Sequence, residues 1–85
     1  MFIYISDITT KSKTLLNTDK ISIIYDNSYL QQLVDANNII KNLFEENNID
    51  KDEVKSIVVL DTNGSLMFSN ETVAELYNKI IYKST

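Results

Sequence analysis

Apolar and polar positions follow two different periods along this chain, and the change of period separates predicted strands from predicted helices. Short runs of β-branched and aromatic residues predict strands at residues 2–5, 13–16 and 21–25, each followed by polar turn residues. A fourth run, Ser56–Leu60, has apolar side chains at both odd and even positions, which is typical of an interior strand. We therefore expect the sheet to be built around this fourth strand.

The fourth run leads into Asn63 and Gly64, and Gly64 is the only glycine of the chain. An Asn-Gly pair between apolar runs is a strong local signal for a two-residue type I′ turn, because both central residues need a positive φ. Such a turn predicts a hairpin in which Leu60 faces Met67, so a further strand should follow the turn.

A first segment with helical spacing of apolar residues covers residues 28–46. Ser28 and Gln31 have the spacing of a capping box at its start. Two asparagines, at positions 37 and 38, weaken its middle, because asparagine is a poor helix former. We expect the helix to end with a left-handed asparagine cap at position 47 or 48 and to be followed by a single helical turn at residues 50–53.

A second helical segment covers residues 70–82 and has the most regular pattern in the chain. Its apolar residues recur at positions i, i+3, i+4, i+7 and i+8, which places Tyr77 in the stripe that faces the core. Ser69 or Asn70 is expected to cap its start.

Together these elements predict one α+β domain, because a chain of 85 residues can bury one modest core. We expect a small, mostly antiparallel sheet of four to five strands with two helices packed on it. The composition of 44% hydrophobic and 24% charged residues is ordinary for a globular domain and argues against disorder.

The composition also excludes function classes. The chain has no cysteine, histidine, tryptophan, proline or arginine, so it has neither a thiolate nor an imidazole for catalysis or zinc binding. We therefore expect no enzyme activity, no cofactor and no metal site. Eight lysines against twelve acids give a net charge of −4, which argues against direct nucleic-acid binding. No apolar run is long enough to span a membrane, so we expect a cytoplasmic protein.

The whole net charge is concentrated in residues 45–53, which contain five acids and a single lysine, Lys51. These acids are Glu45, Glu46, Asp50, Asp52 and Glu53. One interpretation is an acidic patch that binds a protein partner with a basic surface, and the other is a solvated connection with ordinary surface acids. Tyr29 and Tyr82 are candidate exposed anchors, because aromatic residues are enriched at interfaces, and Tyr29 is a candidate contact for the same partner. The edge of the strand at residues 2–5 could also pair with a second copy to form a homodimer.

Two segments resemble the small flagellar FlbD proteins and similar short bacterial and phage proteins: LNTDKISII at residues 16–24, and IVVLDTNGSLMFSNETVAEL at residues 57–76. The shared pattern is a leucine-asparagine turn before a strand, an apolar strand, a glycine hairpin, and an acidic residue that opens an amphipathic helix. The chain departs from the family by inserting residues 28–53 between these blocks. The resemblance implies a small sheet with a C-terminal helix and no catalytic residues.

These observations favour a non-enzymatic protein-interaction module. Small size, few chemically reactive residue types and a composition typical of an AT-rich genome are consistent with a phage- or mobile-element-encoded regulator or inhibitor of a host protein. The alternative, which the resemblance implies, is a structural or accessory component of a flagellar or secretion-type assembly.

Overall fold

The computed structural model describes residues 1–61 and 64–84, and it confirms the predicted α+β fold. One antiparallel sheet has five strands in the order β2-β1-β5-β4-β3. The strands are β1 (Phe2–Asp7), β2 (Ser12–Asn17), β3 (Ile21–Asp26), β4 (Ser56–Leu60) and β5 (Leu66–Ser69). The described residues also form three α-helices: α1 (Leu30–Ala36), α2 (Asn38–Glu46) and α3 (Val73–Ser84).

The helices lie on opposite faces of the sheet and produce two hydrophobic clusters. On one face, which we call the α1/α2 face, the buried residues are Ile8, Leu30, Val34, Ile40, Phe44, Val54, Ile57 and Phe68. On the other, the α3 face, they are Ile3, Ile5, Val58, Met67 and Leu76. Burying each large side chain contributes roughly 1.5–3 kcal/mol, so both clusters are needed for a chain this short.

Strand β4 is an interior strand, as predicted, because it pairs with β3 on one side and with β5 on the other. Its alternating side chains supply both clusters: Ile57 packs on the α1/α2 face, and Val58 packs on the α3 face. The apolar character of both faces of this strand follows directly from its position.

The edge strands differ from our expectation. We expected residues 2–5 to form an exposed edge. In the strand order β1 lies between β2 and β5, so the outer strands are β2 and β3, but β5 pairs with β1 only at Asp7 and leaves residues 2–5 without a strand on that side. The reason is that β5 joins β1 from the far end of the chain, through the pair of Asp7 with Ser69.

The hairpin between β4 and β5 has a different register from the predicted one. Met67 pairs with Val58 instead of Leu60, and the Leu60 N–H donates to the Ser65 carbonyl oxygen (2.9 Å). The loop is therefore longer than two residues, and Gly64 completes it at a φ of +69°. Because the register differs by two residues, each side chain still lies on the face that the pattern predicts. Asn63, the other residue of the predicted turn, lies outside the described residues.

The predicted helix at residues 28–46 is interrupted at Asn37. This residue is extended, with φ −130° and ψ 105°, and its side-chain oxygen accepts hydrogen bonds from the N–H groups of Ile39 (3.0 Å) and Ile40 (3.3 Å). Asn37 is thus the N-cap of α2, because its short side chain can satisfy the free N–H groups of a new helix better than it supports a continuous one.

Neither predicted N-terminal cap is correct. Ser28 lies in a 3₁₀ turn, Asn27–Tyr29, that is capped by the side chain of Asp26. Helix α3 begins after Thr72, whose hydroxyl accepts from the Glu75 N–H (3.1 Å) while the Glu75 carboxylate accepts from the Thr72 N–H (3.4 Å). This reciprocal pair is a capping box, so neither Ser69 nor Asn70 caps α3.

Three smaller predictions have mixed outcomes. Asn48 takes the predicted left-handed conformation after α2, with φ 53°. Asp50 caps the predicted single turn, which is the 3₁₀ turn Lys51–Glu53. Tyr77, however, is 61% exposed, so its place in the buried stripe of α3 is wrong. Among the described residues, none of the helices has the length and apolar character that crossing a bilayer requires.

The Asn37 cap yields a stability prediction. Asn37→Ala should lower the free energy of unfolding by about 0.5–2 kcal/mol, because two N–H groups at the start of α2 lose their acceptor. Chemical denaturation measures this change. Asn38→Ala, one residue further on and exposed, is the matched control and should be neutral or slightly stabilising. Equal losses for the two variants would contradict the assignment of the cap.

Candidate functional site

The five acids of residues 45–53 are all exposed. Glu45 and Glu46 end helix α2, Asp50 caps the following 3₁₀ turn, and Asp52 and Glu53 belong to that turn. The Asp50 side chain accepts from the Asp52 N–H (2.9 Å) and thereby holds the turn in place. This segment connects α2 to β4, so its acids lie at the surface while its apolar residue Val54 is fully buried.

Within the described part of the chain, none of these five acids forms an ion pair. The ion pair found there joins Glu71 and Lys79. The lysines nearest in sequence to the acids bind neutral oxygens instead: Lys51 Nζ donates to Gln31 Oε1 (2.6 Å), and Lys55 Nζ donates to the Asp52 carbonyl oxygen (3.0 Å). The negative charge of the segment is therefore not compensated by direct contact.

The acids do not converge on one point. Glu45 and Asp50 line one groove, Asp52 lines a second groove, and Glu53 lines a third. In the regions that the structure describes, no three acidic side chains approach as they would around a metal ion. The acids are spread over the surface, and each groove that they line also contains lysines. This arrangement suits contact with an extended surface better than it suits a small ligand.

Tyr29 is exposed, as predicted, but it does not belong to this acidic surface. Its side chain is 59% exposed and lines an apolar groove with a volume of ≈ 360 Å³. The Tyr25 ring meets the Tyr29 ring edge-on, with a centroid separation of 6.3 Å. The groove is lined by Tyr25, Tyr29, Leu33, Ile57, Val59 and Leu66, and none of the five acids is among them. The other predicted exposed anchor, the side chain of Tyr82, lies outside the described part of the chain.

A buried junction that the sequence analysis missed is centred on Glu71, which is only 9% exposed. Two fully buried serines hold its backbone: Ser56 Oγ donates to the Glu71 carbonyl oxygen (2.8 Å), and Ser69 Oγ accepts from the Glu71 N–H (3.1 Å). The carboxylate accepts from the Ser6 N–H through Oε1 (2.8 Å) and pairs with Lys79 through Oε2. We call these five residues the Glu71 junction.

The junction completes the sheet where β1 and β5 separate. These strands pair at a single register position, Asp7 with Ser69, because the chain then leaves β5 toward α3. The open side of β1 is contacted by side chains instead, since the Glu71 carboxylate binds its backbone and Lys79 Nζ donates to the Tyr4 carbonyl oxygen (2.8 Å). Two charged side chains thus take the place of a neighbouring strand.

The electrostatics of the junction favour the ionised carboxylate. Burial raises the pKa of Glu71, but the hydrogen bonds from Lys79 and the Ser6 N–H, together with the Lys79 charge, lower the pKa by more, so it lies below its ordinary value of 4.5. At the end of β3, the Ser28 hydroxyl and N–H likewise lower the pKa of Asp26. Both shifts arise where a carboxylate organises a turn or a junction.

The sequence did contain a signal for the junction. Thr72 and Glu75 have capping-box spacing, which starts α3 at Val73 and leaves Glu71 outside the helix. The helix predicted at residues 70–82 places Glu71 in its first turn. An acid between a buried strand and a helix cap must instead lie close to the sheet.

Comparisons of the chain with protein-family models, with curated proteins and with solved structures find no match. The resemblance to FlbD-like proteins, which residues 16–24 and 57–76 carry, therefore stays a prediction. In the structure these residues form the turn before β3, most of β3, the β4–β5 hairpin and the first turn of α3.

The Glu71 junction generates a pH-dependence prediction. Because the folded pKa of Glu71 is lowered, its stabilisation is complete above about pH 4.5 and is lost as the pH falls through the lowered pKa. Glu71→Gln should therefore cost roughly 1–3 kcal/mol of unfolding free energy at neutral pH. The difference between wild type and variant should shrink in acid, as measured by denaturation at several pH values.

Glu46→Gln is the control for that experiment, because Glu46 is exposed at the end of α2 and does not belong to the Glu71 junction. It should change stability little at any pH. A Glu71→Gln variant whose deficit does not depend on pH would contradict the ionised role of the junction.

Proposed function

We propose that this chain is a non-enzymatic protein-interaction module that binds a partner with a basic surface through the acids of residues 45–53. The observation that carries the proposal is that all five carboxylates are exposed and, within the described residues, none of them forms an ion pair. Such a surface attracts a basic partner over several ångströms and accelerates encounter.

The local fold supports this role, because it presents the acids on a fixed frame. Asp50 holds the 3₁₀ turn through its hydrogen bond to the Asp52 N–H, and Val54 anchors the end of the segment in the core. At the other end, Phe44 fixes the last turn of α2 against Phe68, with ring centroids 5.0 Å apart. A segment anchored at both ends loses little conformational entropy on binding.

The mode of action that we propose is occupancy of a basic surface on the partner, as a regulator or inhibitor would need. The acids are spread over several grooves, so many weak contacts at the rim contribute more than one deep contact. Such binding depends strongly on ionic strength, because exposed charges are screened within about 10 Å at 0.1 M salt.

Charge reversal tests the proposal. Glu45→Lys/Glu46→Lys should reduce the amount of partner captured from a lysate of the source organism by roughly tenfold at low salt, because it removes electrostatic attraction. Asp19→Lys/Asp61→Lys is the matched control: it gives the same net charge, and both residues are exposed outside the acidic segment. Circular dichroism verifies that both variants fold.

The proposal requires a partner that the wild type and the control retain, that the Glu45/Glu46 variant loses, and that high salt releases. Equal capture by the two variants would show that the acids of residues 45–53 are ordinary surface charges. Capture that persists in high salt would favour the alternative function, a structural component of a stable assembly.

A further inference from the structure

The two edges of the sheet differ in their protection against pairing with another strand. Edge strand β2 carries Lys13 within it and Lys11 just before it, and lysines on an edge strand oppose such pairing. Edge strand β3 has no charged residue within it before Asp26; Lys20 lies just before it, and a register shift between Ile21 and Ile23 interrupts its first half. Residues 23–25 are therefore the less protected part of the two edges.

The α1/α2 face is incompletely covered next to β3. Cross-strand neighbours form two apolar rows on this face, Ile23–Val59–Leu66 and Tyr25–Ile57–Phe68. Helices α1 and α2 bury Ile57 and Phe68, but Ile23 is 44% exposed and Tyr25 is 41% exposed. Both rows thus end at the β3 edge in an exposed apolar side chain.

The backbone of β3 is also available at this edge. Because Leu60 directs its N–H to Ser65, the alternation along β4 directs the N–H groups of Ile57 and Val59 to β3. Their register partners on β3, Ile23 and Tyr25, therefore use their backbone groups on β4. Ile24, which lies between them, directs its backbone N–H and C=O away from β4, to the open edge.

We propose that a second copy of this chain pairs with β3 as an antiparallel strand, about a two-fold axis at Ile24. This register places Ile23 of each copy opposite Tyr25 of the other. The Ile23 row of one copy then continues into the Tyr25 row of the second copy, so both rows run across a ten-stranded sheet. The exposed side chains of Ile23 and Tyr25 are thereby covered in both copies.

The charges that flank β3 are compatible with this arrangement. Asp26 of each copy lies opposite Ser22 of the other. Lys20 precedes the register shift of β3 and so lies on the other face from Asp26. Like charges are therefore not brought together by the pairing.

Other registers fit less well. A shift of two residues in one direction places Tyr25 opposite Ile21, which packs on the α3 face because of the register shift in β3. A shift of two in the other direction places Ile23 opposite Asn27, beyond the end of the strand. The register about Ile24 alone pairs both exposed apolar residues.

Sedimentation equilibrium of the full chain over a range of concentrations tests the proposal. The wild type should form a dimer, and Ile23→Lys should raise its dissociation constant roughly tenfold or more, because two lysines replace two apolar cross-strand contacts. Leu15→Lys is the matched control, since Leu15 is 54% exposed on the other edge strand. It should leave the dissociation constant unchanged.

Disulfide formation tests the register without relying on weakened variants. The chain has no cysteine, and directly opposite residues in a non-hydrogen-bonded pair have Cα atoms about 4.5 Å apart, within disulfide range. A mixture of Ile23→Cys and Tyr25→Cys should form a covalent dimer, whereas neither variant alone should do so efficiently. A wild type that stays monomeric, equal effects of Ile23→Lys and Leu15→Lys, or cross-linking independent of mixing would overturn the proposal.

Discussion

The fold depends on bringing one ionised carboxylate into the gap between β1 and β5. The chain must leave β5 early to form α3, so β1 lacks a strand neighbour on its β5 side along most of its length, although β2 pairs with its other side throughout. Glu71 fills this gap, and it can remain charged there because Lys79 and the Ser6 N–H stabilise the ionised form. An unpaired carboxylate at this position would destabilise the chain, because a buried charge needs a partner.

The same constraint explains why the two faces of the sheet differ. Helix α3 starts next to the junction and crosses the face where Ile3 and Ile5 lie, so that face is closed by Leu76. On the opposite face, the interruption at Asn37 produces two short helices, which cover the end of the sheet near Phe68. The rest of that face keeps exposed apolar residues both next to β3 and on β1 and β2, where Phe2, Tyr4 and Leu15 are exposed. The acids lie on the connection that follows α2.

The elements that could be predicted from sequence are those with local causes. Period-two and helical patterns located all five strands and α3, and the left-handed cap at Asn48 follows from the side chain of asparagine. The register of the β4–β5 hairpin could not be predicted, because a shift of two residues keeps every side chain on its face. Tyr77 fits the apolar period of α3, yet α3 buries the neighbouring Leu76 and leaves Tyr77 61% exposed, which the period alone does not distinguish.

The candidate sites show the same division between local and long-range causes. Exposure of the acids at residues 45–53 follows from their position in a connection, and the sequence predicts it. The absence of ion pairs among these described acids could not be predicted, because it depends on where Gln31 and the Asp52 carbonyl oxygen place the lysines. The apolar groove beside Tyr29 depends on which part of the sheet α1 and α2 leave uncovered.

The wide separation in sequence of the residues at the Glu71 junction has a consequence for the order of folding. Ser6 and Glu71 are 65 positions apart, so contact between them closes nearly the longest loop that the chain allows. The β4–β5 hairpin and the helices need much shorter loops and can assemble first. We therefore expect docking of the β1–β2 hairpin onto this assembly to be a late event, and the junction to affect the unfolding rate more than the folding rate.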